Sequence, residues 1–202
     1  MTFELELDVS RETSEKLRAF EALVKKWTQK INLISKSTIP EIWNRHIIDS
    51  AQIFSLALSG EHWVDLGSGG GFPGIVIAIL TEDSQTPHQV TLIESDIRKC
   101  TFLRTAIREL SLNANVITSR IEELPPMKAD ILSARALADL DTLLAFSDRH
   151  LSSDGVALFP KGAHWQEEDH HARSNWSYHC EPITSKTDQN AAILRLRDIK
   201  HV

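Results

Sequence analysis

The chain has 202 residues, the size of one domain or of one domain with a small helical extension. Hydrophobic residues make up 42% and charged residues 25%, close to the average of globular proteins, which argues against a disordered or fibrous chain. The chain has 22 Lys and Arg residues and 28 Asp and Glu residues. The net charge of −6 excludes an overall basic coat for nucleic acid, although it allows a local basic surface.

Signals for disulfides, export and membrane insertion are missing from the sequence. Cys100 and Cys180 are the only cysteines, too few for a disulfide scaffold or a cysteine-built zinc site. The acidic start of the chain lacks the apolar run of a signal peptide, and the longest apolar run, residues 75–80, is far shorter than a membrane span. We therefore expect a cytoplasmic protein in a reducing compartment, without a membrane partner, and we expect a monomer.

The first 60 residues have a helical pattern. Apolar residues recur every three or four positions over residues 10–36, which predicts an amphipathic helix with Ser10 as its N-cap. Pro40 suits a first turn and begins a second predicted helix, which ends near residue 59. We interpret residues 1–60 as an N-terminal helical extension.

From residue 61 onward, short apolar runs alternate with helical patterns, which predicts a parallel sheet with right-handed crossovers. The predicted strands cover 62–66, 89–94, 115–117, 129–133 and 155–159, and the helices 74–80, 96–110 and 140–150. Two late strands, 177–185 and 191–198, should form an antiparallel pair that closes the sheet, and the His-rich stretch 163–176 should be loop or frayed helix. We interpret residues 61–202 as one α/β domain with a mostly parallel, seven-stranded twisted sheet flanked by helices.

The clearest chemical signal is a glycine-rich loop between the first predicted strand and its helix, Asp65-Leu66-Gly67-Ser68-Gly69-Gly70-Gly71-Phe72-Pro73-Gly74. Glycines let the backbone approach a ligand and adopt positive φ, and the helix N-terminus behind them offers free N–H groups. The spacing of Gly69, Gly71 and Gly74 also satisfies a dinucleotide fingerprint. The glycines alone therefore leave the ligand open.

Two acids narrow the choice of ligand. Asp65 stands two residues before the first glycine, where it would attract an amine or a cation and repel a pyrophosphate. Glu94 ends the second predicted strand 20 residues after Gly74, where an acid hydrogen-bonds a ribose hydroxyl. A ligand with a ribose, an amino-acid group and a positive sulfur, but no phosphate, satisfies both acids. S-adenosylmethionine is such a ligand.

The loop resembles that of class I Rossmann-like methyltransferases, and further motifs narrow the resemblance. They are Asn32-Leu33, Arg45-His46-Ile47-Ile48-Asp49-Ser50, Gly71-Phe72-Pro73-Gly74-Ile75, Arg135-Ala136-Leu137-Ala138 and Pro160-Lys161-Gly162. Together they are similar to the glucose-inhibited division protein B family over about residues 17–196. The resemblance implies an enzyme that methylates guanine N7 in small-subunit (16S) ribosomal RNA with S-adenosylmethionine. Its partner would be the RNA or the small subunit.

The resemblance also assigns the family's cofactor contacts to positions in this chain. They fall on Gly67 and Phe72, on the pair Ile121 and Glu122, which would frame the adenine, and on Arg135. With the residues derived above from the loop and the two acids, the predicted cofactor-binding set is Asp65, Gly67, Gly69, Gly71, Phe72, Glu94, Ile121, Glu122 and Arg135.

Chemistry beyond the loop favours guanine N7 over two other targets. Exocyclic amines require a polar residue and an aromatic residue around two prolines, and Leu124-Pro125-Pro126-Met127 has neither. Methylation of pyrimidine C5 requires a cysteine nucleophile, and neither cysteine is close to the glycine loop in the sequence. Guanine N7 carries a free lone pair and no proton, so it requires positioning rather than a base.

Arg135, after the fourth predicted strand, is the candidate for positioning the target guanine, because a guanidinium can bind guanine bidentately. A surface arginine at a strand end is the alternative. His46, on a partly apolar face, is more typical of a satisfied core histidine than of a catalyst. Asp49 follows three residues later and could pair with His46 or Arg45.

Two basic stripes form the predicted RNA surface, although a merely solvated face is the alternative. Lys25, Lys26 and Lys30 lie along the first helix, and Arg98, Lys99, Arg104 and Arg108 follow the strand that ends in Glu94. Lys161, from the motif Pro160-Lys161-Gly162, is also a predicted RNA-binding residue. We expect no metal site, since the reaction requires none and Asp169 is the only acid close to His164, His170, His171 and His179.

Two alternative functions remain open. A methyltransferase of the same fold could act on a small molecule or a protein, because the substrate depends on the resemblance. A nucleotide-binding module without catalysis could hold NAD at the glycine loop, although Asp65 argues against it.

Overall fold

The computed structural model describes residues 7–57, 61–84 and 87–202, and its centre is a seven-stranded sheet. The strands are β1 (His62–Leu66), β2 (Gln89–Glu94), β3 (Ala114–Thr118), β4 (Ala129–Ala134), β5 (Leu151–Lys161), β6 (Trp176–Thr184) and β7 (Ala192–His201). Their order in the sheet is 3-2-1-4-5-7-6, with β7 antiparallel to both of its neighbours. The predicted architecture, a mostly parallel sheet closed by an antiparallel pair, is confirmed.

The α-helices of the described residues are α1 (Arg11–Thr28), α2 (Asp49–Phe54), α3 (Gly74–Leu80), α4 (Ile97–Glu109), α5 (Leu140–His150) and α6 (Trp165–Ala172). Ser10 is the N-cap of α1, as predicted: its hydroxyl accepts a hydrogen bond from the Thr13 N–H at 3.1 Å. Such a bond satisfies one of the N–H groups that a helix start leaves without a partner.

Two hydrophobic cores cover the two faces of the sheet. Trp63 and Ile131 belong to the core shared with α1, α3 and α4, whereas Leu66 and Leu132 belong to the core shared with α5. Successive strand residues point to opposite faces, so neighbours in the sequence enter different cores. Helix α3 contains only Gly, Ala, Ile, Val and Leu, and it is buried along its whole length.

The N-terminal segment departs most from the prediction. Helix α1 ends at Thr28 instead of residue 36, and beyond this end the Lys30 N–H bonds to the Trp27 carbonyl, three residues back, in a tighter turn than that of an α-helix. The chain then passes the glycine loop, where the Leu33 carbonyl oxygen lies only 3.0 Å from the position of a Cβ on Gly70. The helix stops where this tertiary contact requires another backbone path.

The second predicted helix is three short pieces: a 3-10 helix (Lys36–Glu41), a π-helical turn (Trp43–Ile48) and α2. Pro40 lies inside the 3-10 helix and not in a first α-helical turn. The predicted end near residue 59 lies outside the described residues, so the domain boundary at residue 60 stays a prediction. Side chains of this segment, Ile47 and Ile53 among them, enter the core that includes Trp63 of the sheet.

The His-rich stretch 163–176 contains a regular helix, α6, where sequence favoured loop or frayed helix. Asp169 pairs with Arg173 one turn later at 2.9 Å and accepts a hydrogen bond from the Tyr178 hydroxyl at 2.9 Å. These polar contacts stabilise a helix that lacks an apolar stripe. Within residues 7–57, 61–84 and 87–202, no three His, Cys, Asp or Glu side chains are grouped to hold a metal ion. In the same ranges, no helix combines the length and apolarity needed to cross a membrane.

Candidate functional site: a glycine loop beside a charged cavity

The loops that follow β1 to β4 meet at one edge of the sheet. The register places Leu66 beside Ile93 and Ala134, and Glu94 beside Thr118. Parallel strands therefore bring the glycine loop, Glu94 and the segments after β3 and β4 to the same edge, which is where open α/β sheets bind ligands.

The glycine loop requires glycine for two reasons. Gly67, Gly69 and Gly71 have φ values of +61°, +51° and +84°, a region that disfavours other side chains. A Cβ on Gly67 would also lie 2.5 Å from Leu137 Cδ1, and one on Gly71 2.7 Å from Ile75 Cγ1. Beside Gly69 the nearest atom would be 3.6 Å away, so the backbone there borders open space.

The carboxylate of Asp65 lies beneath this loop and is fully buried. It accepts hydrogen bonds from the Gly74 N–H at 3.2 Å and from the Ser133 hydroxyl at 2.7 Å, so it fastens the loop to β4. Burial raises the pKa of Asp65 to about 6, although these hydrogen bonds act in the opposite direction. The structure thus gives Asp65 a role in ordering the loop, and its direct contact with a ligand stays a prediction.

Glu94 holds its carboxylate against the open side of the loop. Oε2 accepts a hydrogen bond from the Gly69 N–H at 2.9 Å, and Oε1 accepts from the N–H groups of Ser95 and Asp96, both at 2.8 Å. Three backbone donors therefore orient the side chain. Each carboxylate oxygen has two lone pairs, so Oε2 can also accept from a ribose hydroxyl. The open space at Gly69 and this oriented acid fit the ribose of S-adenosylmethionine.

Ile121 and Glu122 follow β3 at the same edge. Ile121 is buried, and its carbonyl oxygen lies 3.2 Å from His150 Nε2. Glu122 is exposed and lies 3.8 Å from Arg120. The backbone of the pair is thus fixed while the carboxylate is accessible, and the contact with an adenine stays a prediction.

An open cavity of about 810 Å³ is lined by Arg135 and His46, both of which contact Phe72 of the glycine loop. Pockets that hold small organic ligands have volumes of about 300–1,000 Å³, so the volume of this cavity lies in the range of a ligand site. Its walls come from the N-terminal segment, the ends of β4 and β5, α6 and the loop between β6 and β7. Its charged lining residues are Glu41, Arg45, Asp49, Arg135, Lys161, Glu168 and Asp188. Of these, only Arg135 and Lys161 were predicted as site residues.

Arg135 connects this cavity with the glycine loop. Its guanidinium carbon lies 5.2 Å from the centre of the Phe72 ring. Nη1 donates to the Arg45 carbonyl at 3.1 Å and to the Asp49 carboxylate at 3.3 Å, and Nη2 lies 2.7 Å from His46 Nδ1. The side chain is 16% exposed and bound to the N-terminal segment, and its role in positioning the target guanine stays a prediction. His46 and Asp49, which the sequence suggested might pair with each other, both bind Arg135.

Polar side chains of α2 tie the N-terminal segment to the loop between β6 and β7. Gln52 donates from Nε2 to the Ser185 hydroxyl at 3.0 Å and accepts from the Lys186 N–H at 2.9 Å. The Thr187 hydroxyl donates to Asp49 Oδ1 at 2.8 Å. One carboxylate therefore holds both Arg135 and the far wall of the cavity.

Lys161 lies in the cavity wall and not on a free basic surface. Its Nζ is 2.5 Å from Glu168 Oε2 and donates to the Ala138 carbonyl at 3.0 Å, and the side chain is 10% exposed. Glu168 also accepts from the Leu140 N–H at 2.8 Å. Glu168 was not among the predicted site residues, because the stretch 163–176 was expected to be loop or frayed helix. The local signal for a helix was the pair of acids in its first turn, Glu167 and Glu168.

The predicted RNA-binding residues of α1 and α4 lie on helices that pack together, with the rings of Trp27 and Phe102 5.6 Å apart. Lys26 and Arg98 are exposed and Lys99 is partly exposed. Three of the cations contact acceptors of the same chain: Lys25 with Glu21 at 2.7 Å, Arg98 with Asp96 at 2.9 Å, and Arg104 with the Val116 carbonyl at 3.1 Å.

This fold and this loop define a class I, Rossmann-like S-adenosylmethionine-dependent methyltransferase. A solved S-adenosylmethionine-dependent methyltransferase from Aquifex aeolicus has the same fold, with a TM-score of 0.59 over 87% of this chain and 97% of that chain at 12% identity. The family model described as rRNA small subunit methyltransferase G matches residues 13–192. The chain belongs to this family, as its motifs indicated.

Curated relatives agree over nearly the whole chain. A Ruegeria protein named ribosomal RNA small subunit methyltransferase G is 51% identical over 98% of this chain and 97% of its own length. A protein of the same name from Cereibacter sphaeroides is 52% identical over 98% of this chain and 96% of its own length.

Proposed function

We propose that this protein transfers a methyl group from S-adenosylmethionine to N7 of a guanine in 16S ribosomal RNA, as a cytoplasmic monomer. The observation that carries the proposal is the position of Arg135, which contacts Phe72 of the glycine loop and also lines the cavity. One residue thus connects the place for the cofactor with the place for the target base. Membership in a family named for small-subunit rRNA methylation supports the substrate.

The cofactor supplies a methyl group on a positively charged sulfur. In our proposal Gly69 and Glu94 hold its ribose, the pair Ile121 and Glu122 frames its adenine, and Gly67 allows the positive-φ turn that shapes the loop. Asp65 acts from beneath the loop by keeping Gly74 and β4 together.

The cavity suits a reaction that removes no proton. Methyl transfer from the cofactor to N7 would leave the positive charge of the sulfur on the purine. Carboxylates in the cavity wall, Glu41, Asp49 and Asp188, would stabilise that charge, while Arg135 holds the guanine O6 or a phosphate. Arg135 itself carries the wrong sign to stabilise a positive purine, so we assign it to positioning.

The cysteines do not offer a nucleophile for pyrimidine methylation. Cys100 is buried, and its thiol donates to the Glu94 carbonyl at 3.2 Å. Burial raises the pKa of Cys180 to about 11, so this thiol is protonated at neutral pH. Both are structural residues, which favours guanine N7 over pyrimidine C5.

The direct test is methylation of 16S rRNA with isotope-labelled S-adenosylmethionine, followed by mapping of 7-methylguanine by chemical cleavage. We expect label at one guanine N7. Label on another atom would contradict the N7 assignment, and label only on a protein or small molecule would favour the alternative substrate. Binding of NAD as tight as that of S-adenosylmethionine would favour the nucleotide-binding module.

Arg135→Lys separates positioning from affinity. The variant keeps the charge but loses the planar guanidinium group. We therefore expect kcat to fall by more than RNA affinity does. The loss of one bidentate contact should raise the activation free energy by on the order of 1–3 kcal/mol. If Arg135 contacts only the cofactor, S-adenosylmethionine affinity falls and saturating cofactor restores the rate. Unchanged cofactor affinity with unchanged kcat would exclude Arg135 from the site.

A further inference from the structure

One turn of the N-terminal segment supplies three acceptors to Arg135. The Arg45 carbonyl, the His46 Nδ1 and the Asp49 carboxylate lie 3.1, 2.7 and 3.3 Å from guanidinium nitrogens. The first two belong to the π-helical turn and the third follows it directly. Short π-helical segments are frequent at functional sites, and here the turn directs three neighbouring acceptors to one cation.

His46 can accept this hydrogen bond from Arg135 only at an unprotonated Nδ1, because a guanidinium group has donors and no acceptor. Burial lowers the pKa of His46 to about 3, and the positive charges of Arg135 and Arg45 act in the same direction. The neutral ring then carries its proton on Nε2, 3.0 Å from Thr38 Oγ1. The Thr38 hydroxyl donates to the Ser35 carbonyl at 2.8 Å, which leaves its oxygen free to accept.

The same histidine also contacts the cofactor loop. Its ring centre lies 5.1 Å from that of Phe72, whose ring is also 5.2 Å from the Arg135 guanidinium carbon. His46 therefore adjoins both parts of the site: the ring packs against the loop, and one nitrogen holds the side chain that enters the cavity.

We propose that His46 is a positioning residue, whose neutral ring, protonated on Nε2, holds the Arg135 guanidinium in the orientation that binds the target nucleotide. The identity of that nucleotide rests on the proposed function, whereas the state of the histidine does not. A protonated ring would place like charges in contact and release Arg135.

Two substitutions at position 46 separate this role from simple packing. His46→Leu keeps an apolar side chain of similar size but removes the acceptor, whereas His46→Asn keeps a carbonyl oxygen near the place of Nδ1. A hydrogen bond to a charged group contributes enough to change kcat roughly ten- to one-hundred-fold, so we expect that loss in His46→Leu and substantial recovery in His46→Asn. S-adenosylmethionine affinity should stay within about two-fold in both. If His46 only fills the core, the leucine variant keeps its kcat and the asparagine variant loses stability.

Thr38 provides a second, milder pair of variants. Thr38→Val replaces the hydroxyl by a methyl group and removes the acceptor of the Nε2 proton, while Thr38→Ser retains it. We expect Thr38→Val to lower kcat by a few-fold and Thr38→Ser to leave it close to wild type. Equal rates in the two variants would show that the Nε2 proton needs no fixed partner, which contradicts the proposed orientation.

The closing experiment observes His46 without any methylation assay. Nitrogen-15 NMR distinguishes a protonated from an unprotonated ring nitrogen, and the His46→Asn variant assigns the signals. We expect a neutral ring with its proton on Nε2 from pH 8 down to about pH 5. A charged ring at pH 6, or a proton on Nδ1, would overturn the proposal. If wild-type protein methylates no rRNA, the proposed function fails, and the NMR result still decides the arrangement of His46.

Discussion

The two halves of the site are built in different ways. We expect the cofactor half to come from the contiguous stretch 65–74, from Glu94 and from the pair Ile121 and Glu122, with Asp65 and Glu94 held by backbone hydrogen bonds. The cavity half comes from five separate segments, so that Thr38 and Ile193 line the same space, and hydrogen bonds and ion pairs of side chains hold it together. The first half can be predicted from a local motif, whereas the second exists only in the folded chain.

The largest effect should come from the cofactor half. We expect Gly67→Val to abolish S-adenosylmethionine binding in calorimetry, because the position has a φ of +61° and its Cβ would collide with Leu137 at 2.5 Å. Gly162→Ala is the matched control for fold and cofactor affinity, since a Cβ there meets nothing within 4 Å. Normal affinity in a folded Gly67→Val protein would show that this loop does not bind the cofactor.

The basic residues of α4 should contribute to RNA binding but not to cofactor binding. Replacing Arg98, Lys99 and Arg104 by glutamine should reduce the slope of log affinity against log salt by roughly two, since each phosphate contact contributes about 0.7–0.9. Lys200→Gln serves as the control, because it removes a positive charge from β7, away from α4. An unchanged slope in the triple variant would indicate that Lys25 and Lys26 on α1 bind the RNA instead.

The buried acid of the cofactor half should make folding depend on pH. Because the pKa of Asp65 is raised to about 6 in the folded protein, ionisation of this side chain opposes folding. Its contribution therefore lowers the free energy of unfolding as pH rises from about 4 to 6. Relative to Asp65→Asn, wild-type protein should lose on the order of 2–3 kcal/mol over that range, measured by urea unfolding at successive pH values. A parallel pH dependence in the two proteins would show that Asp65 ionises normally.

The smallest effect should come from Lys161. Because Glu168 already binds its ammonium group, Lys161→Gln should lower the free energy of unfolding by about 1–2 kcal/mol and leave the salt dependence of RNA binding nearly unchanged. Glu168→Gln should have a similar effect on unfolding. A reduced salt slope in Lys161→Gln alone would instead show that RNA displaces Glu168.

The same contrast explains what the sequence could predict. Three predictions depend only on neighbouring residues: the alternation of strands with helices, Ser10 as a helix N-cap, and a glycine-rich loop between a strand and a helix. The structure confirms each of them. The early end of α1 depends on the contact between Leu33 and the glycine loop, and the π-helical turn adjoins Arg135, contacts that no local pattern contains. The binding of Arg135 by His46 could not be predicted for the same reason, whereas the two acids Glu167 and Glu168 were a local signal for the start of α6.

The bonds from Asp49 and Gln52 to residues 185–187 also have a consequence for synthesis of the chain. A ribosome makes the chain from its N-terminus, and a domain generally folds as a unit. The acceptors around Arg135 therefore lack the loop that fixes them until the end of the chain has been made. We expect a nascent chain to become selective for its RNA only when the last hairpin has left the ribosome.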